Sequence, residues 1–128
     1  MWSRDNRTCG FRTVGEHKGS RVECRIPGGD ANPYLAFAST IAGGLWGVAN
    51  KVEPPEMYQG NAYEAKDVPR VPSSLHEAID AFRESTVARE AFGDFVFEHV
   101  LNTAVQEQVI FDNNCVTDWE LVRYFERG

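Results

Sequence analysis

The stretch "RTCGFRTVGEHKGSRVECRI", residues 7–26, determines the fold prediction because it contains two runs typical of strands. In the second run, residues 20–26, charged side chains alternate with Val22, Cys24 and Ile26, which is the pattern of a half-buried strand. Residues 7–14 form the first run, and the link between the runs contains glycines that favour a turn. The sequence therefore predicts two short antiparallel strands near the N-terminus.

The second strand places charged groups on one face, and more basic residues precede it. The charged set is Arg7, Arg12, Lys18, Arg21, Glu23 and Arg25. Guanidinium forks suit carboxylates and phosphates, whereas lysine offers a mobile point charge. Converging cations would neutralise a polyphosphate, but the same residues also fit a solvated ladder in which Glu23 pairs with neighbouring arginines. Glu23 is accordingly predicted to be either an ion-pair partner or a ligand for Mg²⁺.

Four helices are predicted after the strands. The first has Asn32 as N-cap and Pro33 at its first position, and we expect it to be buried. Its apolar residues, spaced three and four apart, are Tyr34, Phe37, Ala38, Ile41, Ala42, Leu45 and Val48. A proline-rich, irregular segment follows at residues 51–73.

The later helices are marked mainly by their first turns. Ser74 and Glu77 fit a capping box that opens a helix to about Ser85, and a third helix is predicted from about Asp94 to Phe111. The fourth begins with the capping box of Thr117 and Glu120 and is predicted to end near Gly128. Its apolar residues predicted to face the core are Trp119, Val122 and Phe125. Phe92, Phe95 and Phe97 have a spacing suited to core or subunit contacts.

These elements predict an α+β chain: two short N-terminal antiparallel strands followed by about four helices. We expect residues 1–128 to form one piece of a domain, with the strand pair at 7–26 and a helical remainder at 33–128. Two strands are too few for an independent sheet beside this much helix. The sequence therefore reads as the final part of a larger domain.

Composition excludes several classes of protein. The chain has 128 residues, of which 42% are hydrophobic and 25% charged, as in ordinary globular domains. No apolar run is long enough to span a membrane, and the first residues lack the apolar centre of a secretory signal. The three cysteines, Cys9, Cys24 and Cys115, have no paired or metal-type spacing. We expect them to be small apolar fillers in a cytoplasmic protein.

Charge is distributed unevenly along the chain. Residues 1–25 carry six basic and three acidic side chains, whereas residues 26–128 carry seven basic and sixteen acidic ones. A nucleic-acid-binding domain usually has a dominant basic face, so we expect no nucleic-acid partner. The basic N-terminal segment predicts an anionic ligand bound locally.

Four strings stand in order along the chain: "NRTCGFR" (6–12), "KGSRVECRIP" (18–27), "DANPYLAFASTIAGGLWGVANK" (30–51) and "NAYEAKDVPRVPSSLHEAIDAF" (61–82). Together they resemble the C-terminal part of glutamine synthetase. The closing "VTDWELVRYFERG" (116–128) is more similar to family members that join glutamate to amines other than ammonia. The order and spacing of the four strings make the resemblance specific.

The resemblance implies an ATP-dependent ligase. In that family, ATP phosphorylates the side-chain carboxylate of glutamate, and ammonia or an amine then displaces the phosphate to form an amide. Divalent cations, Mg²⁺ or Mn²⁺, bridge the phosphates and carboxylates. The active sites lie between neighbouring subunits of a homo-oligomeric ring.

The resemblance also assigns roles to the charged set. It implies that Arg7 is catalytic and contacts both the terminal phosphate of ATP and glutamate, and that Arg25 holds the carboxylate of glutamate. Glu23 matches a metal ligand. The other ATP-contacting positions are matched by Arg12, Lys18 and Arg21. Tyr63 lies where some bacterial members carry an adenylylated tyrosine, but its neighbours differ, so an unmodified surface tyrosine remains an equal interpretation.

Other family features have no counterpart in these 128 residues, namely the other metal-binding carboxylates and the histidine. His17, His76 and His99 share no ligand spacing, although His17 adjoins Lys18 and could lie near a phosphate. We therefore expect the isolated chain to lack ligase activity. The alternatives are an inactive assembly module that binds a complete synthetase, and a fragment without a stable fold.

Overall fold

The computed structural model describes residues 1–125 and 127. Its elements are α+β, as predicted, and the chain divides into two compact units, Met1–Val71 and Pro72–Gly128. The described residues contain no helix long and apolar enough to cross a membrane.

A three-stranded sheet forms the start of the first unit. β1 (Trp2–Arg4) pairs in parallel with β2 (Phe11–Val14), and β2 pairs antiparallel with β3 (Arg21–Cys24). The predicted hairpin is therefore confirmed, but both of its strands are shorter than predicted and residues 7–10 form a turn. The prediction of two strands was incomplete, because β1 is only three residues long and joins β2 without a hairpin turn.

The first helix, α1 (Pro33–Ala49), begins as predicted. Asn32 accepts hydrogen bonds from the backbone N–H groups of Tyr34 and Leu35, at 3.0 and 3.3 Å. At the other end Lys51 adopts a left-handed conformation with φ 53°. The N–H groups of Lys51 and Val52 then bond back to Val48 and Gly47, which satisfies the last carbonyls of the helix.

The expectation that α1 is buried was wrong for this chain. None of its residues is buried, and Tyr34 is 83% exposed. The other apolar residues exposed on α1 include Phe37, Ile41, Leu45 and Val48. Their spacing is that of a buried helix face, but the described residues provide no element that covers it.

The irregular segment after α1 borders the outer edge of the sheet. Trp2 donates its indole N–H to the carbonyl of Pro55 at 2.6 Å, and its own carbonyl accepts from the N–H of Tyr58 at 3.0 Å. Further along, the hydroxyl of Thr8 accepts from the N–H of Ala62 at 2.9 Å, where the short 3₁₀ turn Ala62–Glu64 begins. These contacts cover the polar edge of β1, which would otherwise be free to pair with another strand.

The second unit contains α2 (Leu75–Arg83), α3 (Thr86–Asn114) and α4 (Asp118–Tyr124). Ser74 accepts from the N–H of Glu77, but the Glu77 carboxylate bonds to the N–H and hydroxyl of Ser73. The predicted bond from the N–H of Glu77 to the Ser74 side chain is therefore present, whereas the Glu77 carboxylate accepts from Ser73 and not from Ser74. The capping box of Thr117 and Glu120 is complete.

The third helix begins earlier than predicted. α3 starts after its N-cap Ser85, and its backbone leaves helical geometry at Gly93, where φ is 70° and ψ 159°. The predicted start at Asp94 is the point where the helix resumes after this break. Residues 86–92 were missed because they form less than two turns before a glycine.

A small apolar core holds α2 and α3 together. It consists of Ile79, Phe97 and Leu101, and the ring of Phe97 stacks on Phe82 with centroids 4.7 Å apart. Of the three phenylalanines predicted for core or subunit contacts, Phe97 is fully buried, whereas Phe95 is 88% exposed.

The predicted inward face of α4 was also wrong for this chain. Trp119, Val122 and Phe125 are all exposed, and the helix ends at Tyr124. The predicted end near Gly128 lies outside the described residues. Cys9 is buried as a filler, as predicted, but Cys115 is exposed.

Candidate functional site

One face of the sheet carries the charged residues singled out in the sequence. Arg12 lies directly across from Glu23 in the antiparallel pair, and Val14 lies across from Arg21. Because side chains alternate between faces, Phe11 and Cys24 point to the opposite side. A crevice there is lined by Phe11, Cys24 and residues of α1 such as Leu35. The predicted separation of Glu23 from Cys24 is therefore observed.

Glu23 is the centre of an arginine cluster. Its Oε2 accepts from Nη1 of Arg12 at 3.0 Å and lies 3.9 Å from Nη1 of Arg25. Its Oε1 has a longer contact of 3.5 Å with Nη2 of Arg21. The hairpin thus brings together three of the five basic residues predicted for the site. We call these residues, with Asp5, the charged face: Asp5, Arg12, Arg21, Glu23 and Arg25.

Arg12 is the least accessible cation of the charged face. Its side chain is 13% exposed, compared with 60% for Arg21. It bridges two carboxylates, since Nη1 bonds to Glu23 while Nη2 bonds to Oδ1 of Asp5. Its Nε is buried and has no hydrogen-bond partner among the described residues. Arg12 is therefore fixed in one orientation by its neighbours.

The electrostatics keep both carboxylates ionised. Hydrogen bonding to Arg12 lowers the pKa of Glu23, and its contacts with Arg21 and Arg25 act in the same direction. The pKa of Asp5 is lowered as well, chiefly by its hydrogen bond to Arg12. The two carboxylates in turn raise the pKa of the Arg12 guanidinium. Glu23 is thus an anionic oxygen donor at neutral pH.

The remaining predicted residues lie around the charged face. Nε of Arg25 donates to the carbonyl of Arg7 at 3.1 Å, so these two residues are neighbours, and the side chain of Arg7 is exposed. Lys18 is exposed in the short 3₁₀ turn His17–Gly19 that links β2 to β3. An open depression of about 520 Å³ beside this turn is lined by His17, Arg4 and Arg21, among others. Tyr63 lies in the 3₁₀ turn of the irregular segment and is exposed.

A divalent cation requires several oxygen ligands. Mg²⁺ binds one or two protein carboxylates together with phosphate oxygens and water. Across residues 1–125 and 127 there is no group of three or more His, Cys, Asp or Glu side chains arranged to hold a metal. The ionised and partly exposed Glu23 fits the role of one ligand. The described residues thus offer one metal ligand and do not form a complete metal site.

Sequence reasoning missed Asp5, which the structure adds to the charged face. Asp5 lies just beyond β1 with φ 51°, and its N–H donates to the carbonyl of Thr13 at 3.0 Å. Aspartate tolerates this left-handed conformation better than most residues. The only sequence signal is its position next to the "NR" pair, because its approach to Arg12 depends on the unpredicted parallel strand.

Comparison with known proteins agrees with this architecture. The family model described as the glutamine synthetase catalytic domain matches residues 1–124. Gamma-glutamylethanolamide synthetase of Streptomyces coelicolor is 51% identical over 126 residues, which cover 98% of this chain and 27% of that protein. Glutamate–isopropylamine ligase of a Pseudomonas species is 41% identical, covering 98% of this chain and 28% of that protein. Glutamine synthetase of Thermotoga maritima is 36% identical, covering 96% and 30%.

The chain therefore belongs to the glutamine synthetase family and corresponds to the C-terminal part of its catalytic domain. It spans between a quarter and a third of the length of these relatives.

Proposed function

We propose that this chain supplies part of the active site of an ATP-dependent ligase that joins an amine to the side-chain carboxylate of glutamate. The observation that carries the proposal is the charged face, where Glu23 is surrounded by Arg12, Arg21 and Arg25. A solvated ion-pair ladder would leave all of these side chains exposed. Instead, Arg12 is largely buried and the ionised Glu23 is partly covered, which supports a preorganised site for anions and a cation.

The proposed chemistry has two steps. An oxygen of the glutamate side-chain carboxylate attacks the terminal phosphorus of ATP, so that ADP leaves and γ-glutamyl phosphate forms. The amine nitrogen then attacks the acyl carbon, the C–O bond to phosphate breaks, and the nitrogen loses a proton. Negative charge accumulates on phosphate oxygens in both steps, and positioned guanidinium groups stabilise it.

Each residue has a defined part in this proposal. Arg25 holds the substrate carboxylate, and Arg7, its neighbour through the backbone carbonyl, contacts both glutamate and the terminal phosphate. The remaining contacts to the phosphates of ATP come from Arg12, Lys18 and Arg21. Glu23 would hold Mg²⁺ or Mn²⁺, which when bound neutralises phosphate charge. The other walls of the site would come from the rest of a family chain and from a neighbouring subunit of a cytoplasmic ring.

A chimera tests this proposal. The 128 residues would replace the matching segment of the Streptomyces coelicolor synthetase, which is 51% identical to them. We expect ADP release and amide formation with ethanolamine. We expect Glu23→Gln to raise the Mn²⁺ concentration required by about tenfold or more, since loss of even an outer-sphere partner typically weakens metal binding by about 10- to 100-fold.

Two further variants complete the test. Arg25→Lys is expected to raise KM for glutamate by about tenfold, because lysine cannot reproduce the planar donor fork. Glu98→Gln is the matched control, since Glu98 also pairs with an arginine, Arg89, at 2.7 Å but is not part of the charged face. An unchanged Mn²⁺ requirement in Glu23→Gln would contradict the assignment of Glu23.

The preferred amine is tested with the same chimera. We propose an amine other than ammonia, supported by the identities of 51% and 41% to relatives named for ethanolamine and isopropylamine products or substrates. Rates with ethanolamine, isopropylamine and ammonia would be compared. The control is a second chimera, in which the matching segment of the Thermotoga maritima glutamine synthetase replaces the same part of the Streptomyces enzyme. If the control still prefers ethanolamine but the chimera with this chain prefers ammonia, this part of the proposal is overturned.

The isolated chain is proposed to be inactive, because Glu23 is one metal ligand and a complete set is required. A coupled assay of ADP release with glutamate and each amine should show no turnover by the purified 128-residue chain. Turnover would contradict this statement.

A second candidate function is that of an assembly module that binds a complete synthetase. The exposed apolar face of α1 favours it, because Phe37, Ile41 and Leu45 would be covered in such a complex. A cooperative thermal transition of the isolated chain, together with co-migration with the Streptomyces enzyme in size-exclusion chromatography, would support this function. Absence of any cooperative transition would instead indicate a fragment without a stable fold.

A further inference from the structure

The contact between Asp5 and Arg12 suggests a role for a residue outside the predicted site. We propose that Asp5 is a positioning residue: by engaging one arm of the Arg12 guanidinium, it keeps Arg12 from closing on both oxygens of Glu23 and leaves Oε1 available to a divalent cation. This inference rests on the proposed role of Glu23 as a metal ligand. Asp5 itself touches neither substrate nor cation in this proposal.

The first step of the argument is the geometry of a guanidinium facing a carboxylate. An unrestrained arginine commonly binds a carboxylate with two parallel N–H···O bonds, and these occupy both oxygens. Arg12 lies directly across the strand pair from Glu23, which is a favourable position for such a pair. Yet only Nη1 contacts Glu23, and it contacts only Oε2, at 3.0 Å.

The second step is the position of the other arm. Nη2 of Arg12 donates to Oδ1 of Asp5, whereas the bond to Glu23 comes from Nη1. Asp5 is held in place because its N–H continues the pairing of β1 with β2 through the carbonyl of Thr13 at 3.0 Å. Arg12 is largely buried, so little room remains for its side chain to adopt another orientation.

The third step concerns the oxygen that remains. Oε1 of Glu23 has a contact with Arg21 at 3.5 Å, and the Arg21 side chain is 60% exposed. A long contact to a solvated side chain is readily exchanged for a cation. The two oxygens of Glu23 thus differ: Oε2 is held by the largely buried Arg12, and Oε1 has a long contact with the exposed Arg21.

Measurement of Mn²⁺ binding by electron paramagnetic resonance tests the proposal in the full-length chimera. Asp5→Asn is expected to weaken Mn²⁺ binding by about tenfold, which is the usual size of an outer-sphere effect on metal affinity. Asp94→Asn is the matched control, because Asp94 also pairs with an arginine, Arg89, at 2.6 Å but lies in the other unit. The Mn²⁺ affinity of the Asp94→Asn variant should equal that of the unsubstituted chimera.

A double variant separates positioning from a general loss of structure. In Asp5→Asn/Arg12→Gln no guanidinium remains to close on Glu23 from this position, so Mn²⁺ affinity should recover toward that of the unsubstituted chimera. A merely structural role for Asp5 predicts that the double variant binds Mn²⁺ more weakly than Asp5→Asn. That result, or unchanged affinity in Asp5→Asn, would overturn the proposal. The Glu23→Gln variant tests the proposed function separately. If this variant binds Mn²⁺ normally, Glu23 is not a metal ligand, and the proposed function itself has failed.

Discussion

The segments Met1–Val71 and Pro72–Gly128 differ in the side chains that each of them buries. In the first, the most constrained side chain of the charged face is a cation, Arg12, held between two carboxylates. In the second, Phe97 is a fully buried side chain, and it packs against Phe82 and next to Ile79. The first arrangement fixes charged groups in one orientation, whereas the second provides stability through apolar burial.

Both segments also leave apolar side chains exposed. α1 and α4 have the residue spacing of packed helices, but their apolar residues lie at the surface, for example Phe37 and Val122. Exposed apolar faces of this size are typical of surfaces that pack against other protein. The second segment differs in having a core of fully or largely buried apolar side chains, Ile79, Phe97 and Leu101.

The largest effect is expected at the core of the second segment. Phe97→Ala should lower the free energy of unfolding by about 3–5 kcal/mol, because it removes a fully buried ring and leaves a cavity. Urea denaturation followed by circular dichroism measures the change. Phe95→Ala, at an 88% exposed position in the same helix, should change the stability by less than about 0.5 kcal/mol. Equal effects of the two substitutions would refute the assigned core.

A pair of glycines provides the next test. Gly93→Ala should cost about 1–3 kcal/mol, because φ 70° with ψ 159° is a conformation that only glycine adopts easily. Gly44→Ala should stabilise α1 by about 0.5–1 kcal/mol, since Gly44 is inside the helix with open space around its Cα. Thermal melts should show a lower Tm for Gly93→Ala and a higher Tm for Gly44→Ala. A stabilised Gly93→Ala variant would show that the break in α3 is not required.

The smallest effect is expected from acid on the charged face. Asp5 and Glu23 have lowered pKa values in the folded chain, so their pairing with Arg12 stabilises it fully above about pH 4, the range of unfolded carboxyl groups. This stabilisation is lost as the pH falls through the folded pKa values. Arg12→Met should therefore lower the urea midpoint at pH 7 and have less effect at pH 3.

The control for this pH effect is Arg83→Met, which removes the partner of Asp80 on the surface of α2. Exposed pairs of this kind contribute little, so the urea midpoint should change only slightly at either pH. A loss in Arg12→Met that is independent of pH would mean that packing of the Arg12 side chain, and not its charge, stabilises the first segment.

The features predicted correctly from the sequence are those set by neighbouring residues. The caps at Asn32, Ser74 and Thr117 act within a single turn of helix, so the starts of α1, α2 and α4 are encoded locally. The placement of Glu23 and Cys24 on opposite faces follows from the alternation of side chains along a strand. The family resemblance was carried by short ordered strings and is confirmed by the match to residues 1–124.

Other features depended on contacts between distant parts of the chain. β1 is three residues long and pairs in parallel, which no local pattern predicts, and Asp5 enters the charged face only through that pairing. Apolar periodicity predicts which side of α1 and α4 is apolar, but burial depends on whether another element covers that side. The sequence by itself thus determined the starts of α1, α2 and α4, the hairpin and the family. Only the tertiary structure decided which side chains are buried and which arm of Arg12 meets Glu23, because both depend on packing in three dimensions.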